Sequence, residues 1–167
     1  MKRDTRIYNV IFPVWMIVWL PSWLWLFLIP ANYLIDWLVF KLSLRKLGLD
    51  ETIARKHNWK TCICGFVSDF IGAMLLAAAL FGTESVITGD ALADFQNNLV
   101  LNPWRSIPSL LVAFLGVALA GVCIYFLNKK IVLMNLVTKE QAHYIALRLA
   151  IFTAPYLYLL PMEWFWN

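Results

Sequence analysis

Charge is what this chain is short of. Asp, Glu, Lys and Arg make up 14% of its 167 residues, against about a quarter in soluble domains. With a hydrophobic fraction of 62%, that scarcity excludes an ordinary water-soluble domain. Catalytic signatures are missing too. There is no Gly-x-Ser-x-Gly elbow, no His-Glu-x-x-His and no phosphate-cradling glycine loop, so the hydrolase, zinc-protease and nucleotide chemistries have nothing to start from. Neither enzymatic activity nor a cofactor is expected. Two acids inside apolar segments are weak grounds for an intramembrane enzyme.

Metal-binding residues are sparse as well. The cysteines are Cys62, Cys64 and Cys123, and the histidines are His57 and His143. A Cys-x-Cys pair lacks the separation of structural zinc sites, and helix neighbours two apart diverge. No metal site is expected, and the thiols read as small apolar groups. On the cytoplasmic side, where the topology below puts them, reducing conditions disfavour a disulfide. The excess of 14 basic over 10 acidic residues is not read as a nucleic-acid signal. The basic residues flank apolar segments, a placement that suits a bilayer with anionic headgroups on its cytoplasmic side.

Long apolar runs are what the chain does have. Residues 61–82, 107–127 and 142–162 each match the roughly 20 residues that cross a hydrocarbon core. The expected fold class is therefore all-α: a polytopic transmembrane helical bundle forming a single integral membrane domain, 1–167. A fourth apolar block, 7–40, contains Pro13, Pro21 and Pro30. As one helix it would reach about 51 Å, too long for one crossing and too short for two. A re-entrant or interfacial piece over 7–20, followed by a longer helix over 22–40, is the expectation, with a single kinked span as the alternative. The start, Met1-Lys2-Arg3, imitates a secretory signal, but no small-x-small cleavage site follows, so it reads as a retained segment.

Basic loops stay cytoplasmic. Residues 41–60 carry Lys41, Arg45, Lys46, Arg55, Lys56 and Lys60, and residues 128–141 carry Lys129, Lys130 and Lys139. Residues 83–106 carry Arg105 beside Glu84, Asp90 and Asp94. Loops 41–60 and 128–141 are thus expected in the cytoplasm of a multi-pass cell-membrane protein, with loop 83–106 and the C-terminus outside. Within the outer loop, Leu92, Phe95 and Leu99 after Gly89-Asp90 suggest a short amphipathic helix, and Asn102-Pro103-Trp104 a turn. Inside, Asp50-Glu51 is placed to start a brief helix.

Small residues recur along each span: Gly65, Ser68, Asp69 and Gly72; Ala113, Gly116, Ala120 and Cys123; Ala142, Ala146, Ala150 and Ala154. Lipid-bathed helices associate through such stripes, within one chain or between copies. Ionisable residues inside a span are expensive and mark candidate function. Counting helical rise from each inner boundary puts Asp69 about 12 Å deep and Arg148 about 10 Å. They are expected to pair, directly or through water, unless Arg148 snorkels to the headgroups. Asp36 and Asn32, four apart on one helix face, are placed to join them, although Asp36 by itself reads more readily as a boundary acid answering Lys41 or Arg45. Glu163 reads as an interfacial charge. The expectation is a transport or permeation protein working as a homo-oligomer through an inward-facing cluster of Asp36, Asp69, Arg148 and Asn32. The alternative is an accessory or scaffold subunit docking a partner membrane protein through its basic inner loop.

Overall fold

A computed structural model describes residues 25–83 and 88–161. Residues 7–20, the Pro21-Ser22 break, the basic N-terminus and Glu163 lie outside the described residues, as does Glu84. Five α-helices follow in order: α1 (Trp25–Lys46), α2 (Thr52–Gly82), α3 (Asp90–Leu101), α4 (Ile107–Leu127) and α5 (Lys139–Phe152). No strand occurs among the described residues. Three helices are long and apolar enough to cross a membrane: Trp25–Lys46, Thr52–Gly82 and Ile107–Leu133. The last of these is α4 with its π-helical continuation, Asn128–Leu133.

Two expected boundaries are corrected. The basic segment 41–60 is mostly helix rather than loop, because solvated charges do not interrupt the backbone ladder. What stops α1 is Gly48, at φ +67, a left-handed position that glycine takes without strain. Leu49 N–H donates to Leu44 O and Gly48 N–H to Arg45 O, the Schellman pattern. Asp50 then starts α2, its carboxylate accepting from Thr52 N–H at 2.9 Å and from the Thr52 hydroxyl. These bonds, the hydroxyl's first, hold the exposed Asp50 carboxyl below the ordinary carboxylate range. The brief helix expected there is the start of a 31-residue one.

The second correction concerns residues 142–162, which do not form one span. α5 begins at a capping box between Thr138 and Gln141 and ends at Phe152 after 14 residues, about 21 Å. Pro155 cannot continue it, having no N–H and disfavouring helix in Ala154. A 3₁₀ turn, Tyr156–Leu159, follows.

The small-residue stripes of α2 and α4 meet each other. A Cβ placed on Gly72 would stand 2.8 Å from Gly116 O and 3.1 Å from Ala120 Cβ, so the two backbones touch. Gly121 brings α4 near Ala150 and Ala154 at ordinary contact, a Cβ there standing 3.6 Å from Ala150 O and 3.9 Å from Ala154 Cβ. The amphipathic α3 forms as expected: Leu99 is buried with Leu76, Leu80 and Val117, and Phe95 O accepts from Ser109 Oγ. In the turn after it, Asn102 accepts from Trp104 N–H, and Trp104 Nε1 donates to Leu159 O at 2.7 Å. The far ends of α2, α4 and the C-terminal turn are thereby tied together.

Candidate functional site

The polar groups of α1 and α2 face one another in the bundle interior. Asn32 and Asp36 share one face of α1, while Thr61, Gly65 and Asp69 run four apart along α2. Asp36 is 1% exposed and Asp69 9%. The Asp36 carboxyl lies over Gly65, with Oδ2 3.6 Å from where a Cβ on that glycine would stand. Glycine there leaves room for the acid. The Asn32 side chain hydrogen-bonds the Asp69 carboxyl, and Asp36 is near enough to repel it.

Neither acid meets a cation among the described residues. Lys41 and Arg45, one alternative for Asp36, turn to Glu51 at 3.3 and 4.0 Å. Arg148, the expected partner of Asp69, donates instead to the Tyr144 hydroxyl at 3.1 Å. Its guanidinium lies 5.7 Å from the ring centres of both Tyr144 and Phe152. The expected Asp69–Arg148 pair is therefore not formed, although Asp36, Asp69 and Asn32 do come together. Counting helical rise says nothing of azimuth. Arg148 stands two residues from Ala146 and from Ala150, about 200° around the helix, so it turns away when the alanines pack. Asp36 Oδ2, Asp69 Oδ1 and Thr61 Oγ1 are buried with no hydrogen-bond partner among the described residues.

The broken C-terminal segment supplies groups that hydropathy did not single out. Thr153, just past α5, has its hydroxyl beside the Asp36 carboxyl. That hydroxyl gives its hydrogen to Leu149 O at 2.8 Å. Tyr158, buried, donates to the backbone carbonyl of Asp69, and its ring lies near Gly72. Pro155, visible in the sequence, was the signal that the chain folds back here. Cys62 and Cys64 are buried free thiols on the same helix as Asp69.

No family model, curated protein or solved structure matches this chain.

Proposed function

We propose that the protein is a multi-pass cell-membrane protein that conducts protons through the Asp36–Asp69 pair. The observation carrying this reading is the burial of Asp36 Oδ2 and Asp69 Oδ1 without a partner among the described residues. Buried negative charge is costly unless compensated, and two neighbouring carboxylates repel each other. A proton on either acid removes the repulsion and one of the two buried charges. Asn32 orients Asp69. Arg148 has no part in the pair and sits with Tyr144 at the inner rim.

In this reading the turn after α1 and residues 128–141 face the cytoplasm, following their lysines and arginines. The outer connection and the C-terminus face the opposite side. The working unit is a homo-oligomer, because three long helices and a half-length α5 enclose little volume, and a path past the acids is most readily completed where copies meet.

The test is proton flux into liposomes carrying a pH-sensitive dye, with native mass spectrometry to count subunits. Asp36→Asn and Asp69→Asn are each expected to abolish flux while leaving thermal stability equal or higher, since each removes a buried acid at constant shape. Undiminished flux in both variants overturns the proposal.

A second reading, an accessory subunit docking a partner through its basic inner end, is favoured by one observation. Arg55 and Lys56 are exposed beside Trp59, itself 54% exposed. Reversing both charges would abolish capture of a membrane partner on that reading, and leave flux intact on the first.

A further inference from the structure

We propose that the groove between α4 and α5 binds one anionic phospholipid, its acyl chain along the groove and its phosphate at Lys129, Lys130 and His143. This rests on the membrane reading above but is independent of the acid pair. The groove has a volume of ≈ 570 Å³ and is apolar along its length, with Ala118, Gly121, Val122, Leu147 and Ile151 among its lining residues. Between Val117 and Phe126 it extends about 13 Å by helical rise, close to the roughly 15 Å of one leaflet's hydrocarbon. It thus has the length of a single acyl chain reaching from headgroup level to the bilayer centre.

The charged end of the groove selects the occupant. Tyr125, which lines it, accepts a hydrogen bond from Lys129 Nζ at 2.8 Å and lies 2.7 Å from His143 Nδ1. Lys130 Nζ stands 6.0 Å from the centre of the Phe126 ring, also in the lining. Two lysines and an imidazole are therefore held by aromatic side chains at the mouth, against one nearby acid, Glu140, three residues before His143. A choline or ethanolamine headgroup carries its own cation and would be repelled in part. A headgroup with net negative charge, such as phosphatidylglycerol, complements the site. Basic pockets between spans on the cytoplasmic side are a general form of anionic-lipid recognition.

The experiment uses the full chain reconstituted in mixed phosphatidylglycerol and phosphatidylcholine, extracted gently, with retained lipid counted by native mass spectrometry. One phosphatidylglycerol is expected per chain, in preference to phosphatidylcholine. Replacing Lys129→Ala and Lys130→Ala together is expected to lower that preference about 30-fold, since each basic residue near an anionic surface contributes a factor of about five in binding. Ala118→Trp, at an exposed position in the lining, fills the channel and is expected to lower retention of both lipids. Equal retention of the two lipids by the native chain overturns the proposal, as does an unchanged preference in the double-lysine variant. A chain that does not enter vesicles overturns the membrane reading along with it, an outcome distinct from lost headgroup preference.

Discussion

Asp36 and Gly65 are a matched pair: the carboxyl of one helix occupies the space that the other helix leaves by having no side chain, with 3.6 Å between Oδ2 and the absent Cβ position. That spacing is ordinary van der Waals contact, so Gly65→Ala fits. It is expected to raise stability by up to about 1 kcal/mol, the helix-propensity gain of alanine over glycine. It also sets a methyl against the unpartnered oxygen, so proton flux should fall. Unfolding in bicelles and liposome flux, measured on one variant, should move in opposite directions.

Gly72 is the contrasting case, because its neighbour is backbone. A methyl there would meet Gly116 O at 2.8 Å, and α2 and α4 would have to part. Gly72→Ala is expected to destabilise the bundle by about 1–3 kcal/mol, the usual range for overpacking. Reversible unfolding in mild detergent measures this, and a neutral result would contradict the close contact.

Arg148 and Asp69 should behave independently. Arg148 is engaged by Tyr144 and Phe152, whereas Asp69 is engaged by Asn32. In a double-mutant cycle, Arg148→Met and Asp69→Asn should add to within about 0.5 kcal/mol. A larger coupling energy would restore the ion pair that depth alone suggested.

Asp50 sets a local pH response at the start of α2. Its carboxyl is held low by the bonds from Thr52, so the folded form titrates below the unfolded one. The contribution is present above the unfolded value, near pH 3.9, and is lost as pH falls through the lower folded value. Carbon-detected titration of Asp50 should show this depressed midpoint, and Thr52→Ala should return it to the ordinary range. The effect belongs to a solvent-exposed turn before α2, so it should not make global stability vary with pH near neutrality.

Trp104 joins the outer turn to the C-terminal segment through its bond to Leu159 O. Trp104→Phe keeps the ring and removes the donor, at an expected cost of about 0.5–1.5 kcal/mol. Hydrogen exchange of residues 156–160 should rise more than that of α4.

Much of the helical plan was legible from residue order alone. Residues 107–127 read as a span and are α4, because its first turn is marked by Ser106 and Pro108 and its interior is uniformly apolar. The amphipathic α3 was legible from Leu92, Phe95 and Leu99, and the small-residue stripes holding Gly72 and Gly116 from their spacing, but that these two stripes face each other was not. Gly48 and Pro155 were legible too, but hydropathy averages over single residues, so the end of α1 and the break after α5 had to come from backbone conformation.

Composition and periodicity by themselves determined that the chain is helical, greasy and basic at particular ends, since transfer energies and the 3.6-residue repeat are properties of the chain alone. Which polar groups share an interior was decided only by tertiary structure. Helical rise places a residue along the axis, but packing chooses the rotation, and rotation brought Asp36 to Asp69 and turned Arg148 toward Tyr144. The return of Thr153 and Tyr158 onto those acids depended likewise on where the chain after Phe152 found room.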